Sequence, residues 1–183
     1  MCACGIGDNE TRTREKTEEI MTRRALNASG PACTIRAAKK DDLLPVLRLM
    51  SRADEGLKPF VEDASEHERS TWDTMLRTPN LTIYIAELHD TVVGTASFLL
   101  MPNLGYNCRP SGFIEAMVVS ADVRRQGVAK KIVAQVLDDA ASAGARKIQL
   151  LTHKRHATDG AHNFYRSVGF EAEAEGFRLY LQS

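Results

Sequence analysis

The sequence predicts an α/β domain on a single mixed sheet, and three observations lead there. Some stretches place apolar residues every three or four positions, while others are short apolar runs rich in β-branched residues. The two kinds interleave as βααβββαβαβ, with a final strand-like run, which suits one sheet flanked by helices. Turn residues such as His89-Asp90-Thr91 and Thr78-Pro79-Asn80 punctuate the runs.

Residues 1–32 read as a separate extension. They hold almost no apolar residue before Ile20, and their charges alternate in sign, so they cannot build a core of their own. A short helix from Thr11 to Leu26 is compatible with the pattern before Asn27 to Pro31 breaks it. Met21 is a second candidate for the first residue, and the extension is expected to be dispensable. The domain covers 33–183 and starts with a strand, Thr34 to Ala37. Asp41 and Asp42 lead into a helix that buries Leu43, Val46, Leu47 and Met50. Arg52 to Asp63 is a loop, and Ser65 to Leu76 a second helix with Trp72 inward. Leu81–Leu88 and Val92–Leu100 form a hairpin, where Gly94 marks a bulge or a close backbone approach. Pro102 to Gly112 is a loop. Phe113 to Val119, apolar on both faces except at Glu115, should be a central strand. A helical stripe runs from Ala129 to Ala140 and stops at Gly144. Lys147–Thr152 is a strand, Ala161–Val168 a helix closed by Gly169, and Phe177–Leu181 a last strand.

Composition excludes several classes. The 183 residues carry 24 lysines and arginines against 24 aspartates and glutamates, without the basic excess of a nucleic-acid binder. No apolar run approaches the roughly 20 residues that span a bilayer. The cysteines Cys2, Cys4, Cys33 and Cys108 lack zinc-ligand spacing, as expected of free thiols in a cytoplasmic protein. No metal is expected, and His153, His156 and His162 read as surface residues.

The informative stretch is Phe113 to Val133. A central strand runs into a short polar turn, and an amphipathic helix opens at Gly127. A helix start presents unpaired N–H groups and partial positive charge, which suit phosphate. Gly127 lets the backbone approach an anion closely. Arg124, Arg125, Lys130 and Lys131 surround the point with cations. Cations at a helix N-terminus oppose the macrodipole and cost a few tenths of a kcal/mol unless an anion is present. The pattern is neither a Walker loop nor a dinucleotide fingerprint.

At these residues the chain resembles the GNAT superfamily of N-acetyltransferases. Arg124-Arg125-Gln126-Gly127-Val128-Ala129 meets its [Q/R]-x-x-G-x-[G/A] signature, and Phe164-Tyr165-Arg166-Ser167-Val168-Gly169-Phe170 its later (F/L)-Y-x-x-x-G-F. The strand from Ile114 to Val119 and the opening Ile35-Arg36-Ala37 are similar too, so the resemblance runs from about Thr34 to Leu181. It implies a mostly antiparallel sheet and acetyl-CoA as co-substrate. The strand segment Met117, Val118 and Val119 would hold the pantetheine arm through backbone groups of Met117 and Val119. Arg124, Arg125, Gln126, Gly127, Val128, Ala129 and Lys130 would hold the pyrophosphate. Tyr165 would be the general acid that protonates the departing thiolate, or else a packing aromatic. Glu115, whose pKa burial would raise, is the candidate base through water, or else a structural carboxylate. In place of the asparagine that many members carry after the next strand, this chain reads Thr152-His153-Lys154-Arg155.

The implied activity is acetyl transfer to a primary amine of a small molecule, by direct attack in a ternary complex. A non-catalytic acyl-CoA sensor and a peptide N-acetyltransferase are the alternatives, and a homodimer stays open. Arg52 to Asp63 and Pro102 to Gly112 are expected to build the acceptor pocket, where Arg109 faces an acidic acceptor group or only solvent.

Overall fold

A computed structural model describes residues 33–53, 61–157 and 160–181. The extension 1–32 and most of the first expected acceptor loop lie outside the described residues. The elements are β1 (Thr34–Ala37), a 3-10 turn, α1 (Leu43–Ala53), α2 (Glu66–Arg77), β2 (Leu81–Leu88), β3 (Thr91–Met101), β4 (Ser111–Val119), α3 (Val128–Ser142), β5 (Lys147–Leu150) and α4 (Ala161–Ser167). The sheet order is β1-β2-β3-β4-β5, antiparallel throughout except for the parallel pair β4–β5.

Both sheet faces are covered, and β2 shows how one strand serves two cores. Ile83 and Ile85 face Leu43, Val46 and Trp72 of α1 and α2. Tyr84 and Ala86 alternate to the other face and join Val128, Ile132, Val136 and Ala140 of α3. Ile85, Ile132 and Val136 are fully buried, so truncating any of them to alanine removes on the order of 2–5 kcal/mol. Arg36 ties the first elements together. Its guanidinium makes two bonds to Asp42 at 2.7 and 2.8 Å and reaches Glu87 of β2 at 2.7 Å.

Gly94 fulfils both expectations for it. Ala86 pairs with Gly94 and Glu87 with Val92, so Val93 is the extra residue of a bulge. A Cβ on Gly94 would stand 3.1 Å from Ile132 Cδ1 and 3.3 Å from Val128 Cγ1. A side chain here would force the Ile132 and Val128 side chains to give by a few tenths of an ångström, so glycine suits the close approach of α3 to β3.

Two strand expectations are corrected. β5 ends at Leu150 rather than Thr152, where the chain turns toward the 3-10 segment Lys154–Ala157. Phe177–Leu181 is no strand of this sheet. Residues 171–181 carry neither helix nor strand, and Phe177 is 88% and Leu181 87% exposed. An alternating apolar pattern needs a partner edge before it becomes a strand.

Candidate active site

The two halves of β4 have different surroundings. Ser111 to Ile114 pair with Lys147 to Leu150 of β5. Beyond Ile114 that partner has ended, while β3 continues alongside through Glu115, Val118 and Val119. A bulge opposite Ala96 absorbs an extra residue at Ala116, whose φ is 51°. Glu115 to Val119 therefore form a strand with one edge bare of any strand among the described residues. The side chains of Met117 and Val119 pack against the α3 core cluster, so any ligand role they have falls to their backbone.

The bare edge runs into the start of α3. A 3-10 turn, Ala121–Val123, is followed by Arg125 at φ 62° and by Gly127 at φ 85°, ψ 0°. This left-handed conformation is why a glycine stands here. A Cβ on Gly127 would meet nothing within 4 Å, so the space above it is open. The first helical bond runs from Lys131 N to Gly127 O at 3.0 Å, which leaves the amides of Val128, Ala129 and Lys130 ahead of the ladder. No side chain caps the helix and no acidic residue lies in its first turn. Arg124, Arg125, Gln126 and Lys130 are exposed around it. Lys131 is turned elsewhere, its Nζ donating to Cys33 O at 3.4 Å.

Tyr165 of α4 is half-buried between Phe164 and Phe170, at centroid distances of 5.2 and 5.9 Å. Burial, and after it the charge of Glu115, raises the hydroxyl above the ordinary tyrosine value. The structure thus brings Tyr165 and Glu115, 50 positions apart, within electrostatic reach. It also corrects the premise for Glu115, whose side chain is exposed. The cause is the early end of β5, which uncovers this part of β4. Arg178 joins the group; Tyr180 first, and Glu115 after it, hold its guanidinium charged.

The Pro102 to Gly112 loop stands at the start of β4, the strand end away from Gly127. Arg109 donates to Gly144 O at 3.1 Å and Ala145 O at 3.0 Å, finishing the far end of α3 rather than facing an acceptor. A cavity of about 250 Å³ instead opens at the end of β4, lined by Leu49 and Arg52 of α1 with Val119, Ser120, Asp122 and Arg124. Arg52 opens the first loop expected to build the acceptor pocket; Leu49 was missed, and the signal was its place in the last turn before that loop. Of the histidines, His153 is exposed, whereas His156 and His162 are half-buried. His162 Nε2 is shut from solvent without a partner among the described residues.

Residues 47–170 match the Acetyltransferase (GNAT) family. The chain belongs to this family. A putative acetyltransferase from Agrobacterium tumefaciens is 30% identical and superposes with a TM-score of 0.74, over 81% of this chain and 99% of that one. Glucosamine 6-phosphate N-acetyltransferase of Trypanosoma brucei brucei is 29% identical over 90 residues, 49% of this chain and 58% of the relative. The chain thus spans under two thirds of that curated relative. An aminoglycoside N-acetyltransferase in complex with CoA shares the fold at 22% identity, with a TM-score of 0.66 over 85% of this chain and 97% of that one.

Proposed function

We propose that the chain transfers the acetyl group of acetyl-CoA to a primary amine of a small molecule, by direct attack in a ternary complex. The observation that carries this reading is the bare edge of β4 from Glu115 to Val119 ending at the uncapped start of α3. The residues present fit the co-substrate. Backbone groups of Met117 and Val119, beside Val118, would pair with the pantetheine amides as a neighbouring strand would. Of the amides from Gln126 to Ala129, those of Val128 and Ala129 are open to hold the pyrophosphate, while that of Gln126 donates to Val123 O at 3.4 Å; Arg124, Arg125 and Lys130 would add charge. Acetyl-CoA supplies an activated thioester carbonyl.

This chain's own groups supply the proton traffic. Tyr165, kept protonated by burial and by Glu115, would donate its hydroxyl proton to the departing thiolate. Glu115, exposed beside it, would take a proton from the incoming ammonium through water. The cavity beside Leu49 and Arg52 offers room for the acceptor. The curated relative that acts on glucosamine 6-phosphate favours an amino sugar or similar small amine over a peptide. Reaction in the cytoplasm suits a protein with thiols but no zinc spacing.

A thiol-release assay with acetyl-CoA tests the reading against amino sugars, aminoglycosides, polyamines and peptides. In the best acceptor, Tyr165→Phe should lower kcat by about 10²- to 10⁴-fold, the usual scale for a general acid. Acetyl-CoA binding should change little. Because the Tyr165 pKa is raised, its acid role persists through neutral pH and is lost only above the ordinary value of 10.0. Full turnover in the phenylalanine variant would make the tyrosine a packing residue. Tight coenzyme binding without thiol release from any amine would favour a sensor.

A further inference from the structure

The sheet face under α1 and α2 is covered at one end and open at the other. Ile83 and Ile85 of β2 pack against those helices. Toward the open end, Leu81 of β2, Leu99 of β3 and Phe113 of β4 pair across three strands in one row. Leu81 is two positions from Ile83, so the whole row points to the same face. Leu81, Leu99 and Phe113 join neither of the two core clusters. Leu99 is 39% exposed, and Met101, two positions further along the same face, is 41% exposed. Apolar residues inside a sheet that no core uses form a floor for something else.

Glu115 stands on that face too, two positions beyond Phe113 and paired with Ser97. The bare edge of β4 reaches Glu115 from Val119, and the floor leads away from it toward Ser111. Phe113 lies about 7 Å from Glu115 along the strand, with Leu99 beside it. The lining of the cavity beside Leu49 stops at Val119, whereas the floor begins at Glu115 itself. Charge on the floor is one-sided. Gln149 pairs with Phe113, and at the far end Lys147 pairs with Ser111. Of the residues named on this face only Glu115 is acidic, so a second ammonium would meet Lys147 rather than a counter-charge.

We infer that this floor receives the body of the acceptor, and that the acceptor is a monoamine with an apolar group two or three carbons from its nitrogen. The inference rests on the reading of Glu115 as the base, because the reacting amine must come to that carboxylate. With its nitrogen there, the apolar group falls on Phe113 and Leu99. Polyamines find no second carboxylate on the floor. An amino sugar uses such a floor only through the C–H face of its ring.

Thiol-release kinetics of the full chain should favour phenylethylamine over ethanolamine by at least about tenfold in kcat/KM, the scale of taking one ring face out of water. Leu99→Ser, a change outside both cores, should remove most of that preference. Calorimetry on the wild type with coenzyme A needs neither turnover nor a variant. It should show phenylethylamine binding with a negative heat-capacity change, the mark of apolar burial, and no comparable binding of ethanolamine. Equal turnover of the two amines overturns the floor and leaves acetyl transfer standing. Phenylethylamine binding that Leu99→Ser weakens, without thiol release from any amine, keeps the floor and sinks the transfer. A preference that survives Leu99→Ser, or a wild type that does not bind phenylethylamine, overturns the floor.

Discussion

Helices α2 and α3 both begin after loops, and they begin in opposite ways. At α2, Ser65 Oγ accepts from Glu68 N while Glu68 Oε2 accepts from Ser65 N at 2.7 Å, and Glu66 and Glu68 set negative charge in the first turn. That helix end is capped and charge-matched by its own side chains. At α3 a left-handed glycine stands where a capping side chain would, the first turn lacks an acid, and cations ring it. One start is complete as folded; the other is left open, as the proposed coenzyme site requires.

Ligand itself is the strongest way to sharpen that contrast. Acetyl-CoA at a hundredfold excess over its Kd should stabilise the protein by about 2.7 kcal/mol through mass action; a melt unmoved by the coenzyme would break the comparison. Next in size is Gly127→Val. A side chain at φ 85° should cost about 1–2 kcal/mol and weaken coenzyme binding together with it, as calorimetry would record. Since a Cβ there meets nothing within 4 Å, lost affinity would report a blocked approach rather than an internal clash. Ser65→Ala should cost about 1 kcal/mol in a denaturant melt, the usual value of an N-cap, and leave the coenzyme affinity alone. Lys130→Glu is the smallest and most diagnostic. An acid in the first turn of α3 should raise the stability of the free protein by about 0.3–1 kcal/mol while weakening acetyl-CoA. Parallel rather than opposite signs would mean that the α3 start is an ordinary helix end.

Much of this site was legible from local pattern. The α3 stripe, the glycine at its start and the misplaced cations are all within one stretch of sequence, so periodicity and electrostatics were enough to find them. What stayed hidden depended on partners remote in the chain. Glu115 looked buried because its strand is apolar, but the end of β5 at Leu150 decides its exposure, and that is set by a different segment. Arg109 looked free for a substrate because nothing near it in sequence announces the Gly144 and Ala145 carbonyls, 35 and 36 positions away. Phe177–Leu181 has the composition of a strand, but composition does not say which edge receives it. The family resemblance singled out Tyr165, and the fold adds the burial and the nearby Glu115 that raise its hydroxyl above the ordinary value.

Gly94 lies in the middle of the sheet, yet its missing methyl group works as a spacer. Val128, the first residue of α3, rests 3.3 Å from where that methyl would be. The seat of the open helix start on the sheet is therefore eased from behind, by an atom that is not there. Filling the gap would make the Ile132 and Val128 side chains of α3 give by a few tenths of an ångström, with every side chain at the exposed helix start unchanged. The proposed coenzyme site is thus open to adjustment from the interior of the protein, through a position in the middle of the sheet.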